Sequence, residues 1–87
     1  MKLSFTESGW VDYLWLQQHD KELLKRTNSL IKDVLRNPFQ GIGKPEPLKA
    51  NLSGHWSRRI STEHRLVYSV SHNEIPIISC RFHYQAH

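Results

Sequence analysis

A single cysteine, Cys80, stands in a chain of 87 residues. It has no partner for an internal disulfide, so an oxidising compartment has no signature here. No stretch approaches the ~20 consecutive apolar residues of a membrane span. The opening run, Met1-Lys2-Leu3-Ser4-Phe5-Thr6, lacks the apolar segment of a secretory signal. Glycines number four, and Gly41-Ile42-Gly43-Lys44 is too short a match for a phosphate-cradling nucleotide loop. Acidic side chains are in deficit, with 8 Asp and Glu against 12 Lys and Arg. Repeats and low-complexity tracts are also missing. These absences point to a cytoplasmic protein without a membrane segment, a nucleotide loop or a disulfide framework.

What is present is bulk and positive charge. Hydrophobic residues make up 38% of the chain, and Trp10, Trp15 and Trp56 supply large apolar surfaces. That composition suits one folded domain spanning residues 1–87, too short for two independent cores. The net charge of +4 fits a partner such as nucleic acid or an acidic protein, and charge alone does not separate the two.

Local patterns divide the chain into a helical first half and a strand-rich second half. Lys2 to Phe5 alternates and reads as a short strand. Thr6 or Ser8 can cap a first helix on which Trp10, Tyr13, Leu14 and Gln17 share a face, although Gly9 weakens its first turn. Asp20 caps a second helix in which Leu23, Leu24, Thr27, Leu30, Ile31, Val34 and Leu35 recur at three and four residues. Its opposite side carries Lys25, Ser29, Lys32 and Arg36. Asn37-Pro38 ends that helix, and the glycines and prolines through Pro47 mark a loop. Three strands follow, Trp56 to Ser61, Arg65 to Ser71 and Ile75 to Tyr84, with connections short enough for antiparallel hairpins. The expected fold is α+β, two N-terminal helices packed on an antiparallel sheet.

Strand alternation then sorts side chains by face. Ile78, Cys80 and Phe82 are expected on the core face of the last strand, with Ser79, Arg81 and His83 opposite. Leu66, Tyr68 and Val70 take the core side of the preceding strand, leaving Arg65 on the front. Parity with Trp56 and Ile60 sends Arg58 inward and Arg59 to the front. Glu46 lies between Pro45 and Pro47, which restrict its backbone to extended conformations. That restriction suits a carboxylate held at a defined distance from a substrate proton. The six histidines, His19, His55, His64, His72, His83 and His87, show no metal-ligand spacing with cysteine or acidic partners, so no metal or other cofactor is expected. Cys80, on the core side, is a poor nucleophile.

Several ordered segments resemble the YoeB/Txe toxins of the RelE superfamily. They are Lys44-Pro45-Glu46-Pro47-Leu48-Lys49, Asn51-Leu52-Ser53-Gly54, Trp56-Ser57-Arg58-Arg59-Ile60, Glu63-His64-Arg65-Leu66-Val67-Tyr68 and Cys80-Arg81-Phe82-His83-Tyr84. The resemblance extends through Leu30-Ile31-Lys32-Asp33 and Asn37-Pro38-Phe39, and so covers nearly the whole chain. It implies a microbial-ribonuclease-like fold and a ribosome-dependent mRNA endonuclease of a toxin–antitoxin system. It also implies roles: Glu46 as general base, His83 as general acid and Arg65 as the cation stabilising charge on phosphorus. Lys49, Arg59 and Tyr84 match positions that place the substrate. The implied partners are mRNA on the ribosome, ribosomal RNA, a YefM-like antitoxin and a second copy in a homodimer. The chain departs from the pattern at its end, where Gln85, Ala86 and His87 follow the His-Tyr pair. Two other readings stay open from the residues: a non-catalytic basic protein that blocks translation by occupying RNA or the ribosome, and a toxin of the ParE kind directed at DNA gyrase.

Overall fold

The computed structural model describes residues 1–82 of the chain. It is built from β1 (Lys2–Phe5), α1 (Glu7–His19), α2 (Lys21–Arg36), β2 (Glu46–Pro47), β3 (His55–Arg59), β4 (Arg65–Ser69) and β5 (Glu74–Ser79), with a 3-10 turn at Ala50–Leu52. Two helices pack on a five-stranded sheet of order β1-β5-β4-β3-β2. The α+β class expected from sequence therefore stands. The sheet is mixed rather than antiparallel, because β1 runs parallel to β5 with Leu3 opposite Ile75 and Phe5 opposite Ile77. That pairing joins segments some seventy residues apart, so no hairpin signal announces it.

The caps form where local chemistry places them. Thr6 Oγ1 accepts from Gly9 N–H at the start of α1, and Asp20 Oδ1 accepts from Leu23 N–H at the start of α2. Each satisfies one of the N–H groups that a helix leaves without an internal partner. α2 ends at Arg36, with Asn37 as its C-cap just before Pro38. Its inner face buries Thr27, Leu30, Ile31 and Val34, while Lys25, Ser29, Lys32 and Arg36 are exposed. The core joins these to Leu16, Ile60, Leu66, Tyr68, Ile75, Ile77 and Cys80.

Gly9 proves to be a packing requirement rather than a flaw in α1. It is buried against β5, and a Cβ there would fall well inside 3.0 Å of the Ile77 carbonyl oxygen. The absence of a side chain lets the helix backbone lie directly on the strand. Thr6 fastens the same spot, its N–H donating to Ile77 O at 3.0 Å and its hydroxyl lying 3.2 Å from the carbonyl oxygens of Ile77 and Ile78.

The last strand departs from simple alternation. Val67 lies opposite Ser79, yet the next residue, Tyr68, lies opposite Ile77. Ile78 is thus an extra residue, a bulge that reverses parity along β5. Ile75 and Ile77 point into the core before it, and Ile78 does not join them. Cys80 is buried as expected, but β5 has ended at Ser79. Phe82 is exposed, with φ of 59°, and the expected core position for it is incorrect. Arg81 is also displaced from the sheet front: its guanidinium stacks 3.8 Å above the Trp15 ring of α1.

Candidate active site

Glu46 and Pro47 form a two-residue edge strand, where a proline that cannot donate a ladder hydrogen bond is tolerated. Glu46 lies opposite Ser57, Ser57 opposite Val67, and Val67 opposite Ser79. Directly paired residues share a sheet face. One lateral row on the front therefore runs from Glu46 through Ser57 and Val67 to Ser79. Two residues along in β3, and two back in β4, Arg59 stands directly opposite Arg65. The sheet thus brings Glu46, Arg59 and Arg65 to one face; alternation from Trp56 and Leu66 implies the face of the two arginines, and the pairing of β2 with β3 adds Glu46 to it.

The separation is informative. About 10 Å across two strand spacings and about 7 Å along the strands lie between the Cα atoms of Glu46 and Arg65. Among the described residues, no ion pair joins Glu46 to either arginine. Carboxylate and guanidinium thus share a face without an ion pair between them among the described residues. Two like charges directly across a strand pair cost about 0.2–1 kcal/mol relative to neutral neighbours. Arg65 is steadied by carbonyl oxygens, its Nη1 donating to Ser61 O at 2.6 Å and to His64 O at 3.1 Å. Arg59 remains exposed.

Lys49 is exposed just before the 3-10 turn and, with Glu46, Pro47 and Leu48, lines an open groove at the sheet edge. His83 and Tyr84 lie outside the described residues, so their side chains are not part of this geometry.

Arg58 takes the opposite course from Arg59, as the parity argument requires. Its side chain is fully buried and serves the loop between α2 and β2. Nη1 reaches Asp33 Oδ2 at 2.6 Å and Ile42 O at 3.1 Å, and Nη2 reaches Asn37 O at 2.6 Å and Gln40 O at 3.1 Å. Nε donates to Tyr68 Oη, which donates in turn to Pro38 O at 2.6 Å. One guanidinium thereby fastens the segment that leads to Glu46. The Ile42 N–H and the Arg58 guanidinium hold the Asp33 carboxyl below its ordinary value. Burial pushes the Tyr68 hydroxyl up.

Alternation could not single out His64. It was one of six histidines without metal spacing, yet it is buried, and its Nδ1 accepts from the Phe82 backbone N–H at 2.6 Å. No local pattern carries that signal, because the contact joins residues eighteen apart.

Comparison with known proteins agrees with this architecture. A family model described as the YoeB-like toxin of bacterial type II toxin-antitoxin system matches residues 5–84. A Toxin YoeB from Synechocystis sp. is 69% identical over 85 residues, covering 98% of this chain and 99% of the relative. A solved YoeB/ParE toxin from Agrobacterium tumefaciens superposes with a TM-score of 0.94 at 50% identity, covering 97% of this chain and 100% of that one. A YoeB from Staphylococcus aureus, solved in a heterotetrameric complex with YefM, superposes with a TM-score of 0.88 at 48–49% identity, covering 97% of this chain and 98% of that one.

Proposed function

The chain belongs to the YoeB-like toxins of bacterial type II toxin–antitoxin systems, and from that premise we propose that it is a metal-independent endoribonuclease that cuts mRNA in the ribosomal A site. One observation supports the reading above others: Glu46 shares a sheet face with the Arg59–Arg65 pair. Two adjacent cations on the same sheet face as a carboxylate suit a phosphodiester whose neighbouring 2′-hydroxyl is to be deprotonated.

The chemistry balances without a cofactor, because RNA supplies its own nucleophile. Glu46 takes the proton from the 2′-hydroxyl, whose oxygen attacks phosphorus. Arg65 donates to the non-bridging oxygens as charge develops there, as a planar guanidinium is shaped to do. The bond to the 5′-oxygen breaks, and His83 protonates the leaving oxygen, a role open to histidine because the unperturbed imidazole has a pKa of ~6.5. The products are a 2′,3′-cyclic phosphate and a 5′-hydroxyl. Base and acid on opposite sides of phosphorus permit in-line displacement. Lys49, Arg59 and Tyr84 place the message, and the exposed stripe of Lys25, Lys32 and Arg36 meets ribosomal RNA with salt-sensitive affinity. The staphylococcal relative is solved both as a dimer and with YefM. A YefM-like antitoxin and a homodimer are proposed for this chain on that basis, and the whole of residues 1–87 acts as one domain in the cytoplasm. Among the described residues, no helix is long and apolar enough to cross a membrane.

The test is cleavage of mRNA on a programmed ribosome by protein freed of antitoxin, mapped by primer extension beside Glu46→Gln. A cut at the A-site codon with wild type alone supports the reading. An intact message on a stalled ribosome overturns it in favour of a non-catalytic binder.

A further inference from the structure

We propose that His64 is a positioning residue for the nuclease reaction, acting as one half of a backbone clamp that sets where the chain leaves the sheet on its way to His83. The proposal rests on the endonuclease reading, since it concerns the delivery of that reaction's general acid.

The clamp closes on Phe82 from two consecutive residues. Phe82 N–H donates to His64 Nδ1 at 2.6 Å, and Phe82 C=O accepts from Arg65 N–H at 3.1 Å. The two bonds hold the peptide on each side of the Phe82 α-carbon, and the second of those peptides is the link to His83. They also tie the exit of the chain to the residue that carries Arg65 on the sheet front. A shift of the anchor point would move acid and cation relative to one another, which is what in-line geometry does not tolerate.

His64 is itself held for this purpose. Its own N–H lies 3.1 Å from Ser61 Oγ, and its carbonyl accepts from Ile60 N–H at 3.0 Å and Ser61 N–H at 3.2 Å. Its ring packs against the Phe82 ring, with centroids 5.1 Å apart. A backbone N–H can only donate, so Nδ1 must carry a lone pair, and the neutral His64 has its proton on Nε2. Phe82 pays a conformational cost at this point. Its φ of 59° is unusual for a bulky residue and persists only where surrounding bonds determine it. β5 has already ended at Ser79, so no ladder supplies those bonds, and His64 and Arg65 do.

Two variants of the full-length protein separate this role from mere support of the fold. His64→Phe keeps a ring of similar bulk and removes the acceptor. His64→Asn restores an acceptor oxygen near the position of Nδ1. Amide exchange by NMR reads the clamp directly, independent of any activity. The Phe82 amide should lose protection by roughly fivefold in His64→Phe, the equivalent of one hydrogen bond of about 1 kcal/mol, while the Tyr68 amide in the core is unchanged. His64→Asn should restore it. The side-chain nitrogen shifts of wild-type His64 should show the Nε2–H tautomer. Ribosome-dependent cleavage should fall in kcat by about 100-fold in His64→Phe, the scale of a ~1 Å misplacement, with KM for ribosomes little altered, and recover in His64→Asn. Equal loss of protection at Phe82 and Tyr68 overturns the proposal by making His64 a residue of general stability. Retained Phe82 protection in His64→Phe, or equal loss of cleavage in both variants, overturns it too. Wild-type protein with a protected Phe82 amide and no cleavage overturns the endonuclease reading, and the positioning role with it, while the clamp itself is still read by exchange.

Discussion

Replacing Gly9 by alanine sets two effects of known size against each other. Alanine is the better helix former by about 1 kcal/mol in an exposed helix interior, so propensity alone forecasts a more stable protein. The structure forecasts the reverse. The new methyl would be driven into the Ile77 carbonyl oxygen, with the carbonyl carbons of Ile77 and Ile78 at 3.0 and 3.3 Å. All three are backbone atoms in β5, between two neighbouring strands, and none can swing aside as a side chain can. Relief requires α1 to retreat by about 1 Å, and overpacking of this kind costs ~1–3 kcal/mol. Retreat also stretches the Thr6 bond to Ile77 O, worth about 1 kcal/mol, and the Cys80 N–H bond to Asp12 Oδ2. After the propensity gain is subtracted, a net loss of about 2 kcal/mol remains. For a domain of this size that lowers Tm by roughly 10 °C. Thermal and urea unfolding followed by circular dichroism measure it. A Tm equal to or above that of wild type would refute the argument that the helix backbone must touch the strand.

Other expectations follow from single contacts. Tyr68→Phe removes the hydroxyl bonded to both Arg58 Nε and Pro38 O, and leaving that buried guanidinium short of a partner should cost ~1–3 kcal/mol by urea unfolding. Cys80 is fully buried, and burial first, then the nearby Asp12 charge, pushes its thiol up to about 12; a disulfide reagent at neutral pH should label it only at the rate of unfolding, and immediate labelling of folded protein would contradict the packing. Asp33 has a folded value below its ordinary 3.8, so its contribution is present above that pH and lost as pH falls through the lowered value; Asp33→Asn should be less stable near neutrality and flatter across the acid limb of a stability–pH curve. Glu46 is exposed, so Glu46→Gln should leave Tm within about 2 °C of wild type while abolishing cleavage, and a variant that still cuts would remove Glu46 from the mechanism.

Arg58 and Arg59 show how adjacent, identical residues are sent to different work. One is fully buried and binds the loop from Asn37 to Ile42, and the other faces solvent across from Arg65. A single residue of register decides between a structural cation and a substrate-facing one. The same loop delivers Glu46 to the sheet edge, so the buried arginine supports the exposed site at one remove.

What the sequence determined by itself was everything set by short-range chemistry. The cap at Asp20, a cap for α1 at either Thr6 or Ser8, the buried stripe of α2, its end at Asn37-Pro38 and the faces of Arg58, Arg59 and Arg65 all depend on spacings of four residues or fewer, where backbone geometry alone dictates which side chains share a side. The family's motifs were legible for the same reason. The tertiary structure decided the rest. Gly9 looked like a weakness until β5 was placed against it. The parallel pairing of β1 with β5 and the clamp between His64 and Phe82 join distant segments and leave no periodic trace. The alternation assumed through Tyr84 failed at Ile78, where the ladder with β4 absorbs one extra residue, and strand parity beyond a bulge depends on the neighbouring strand rather than on the sequence being read.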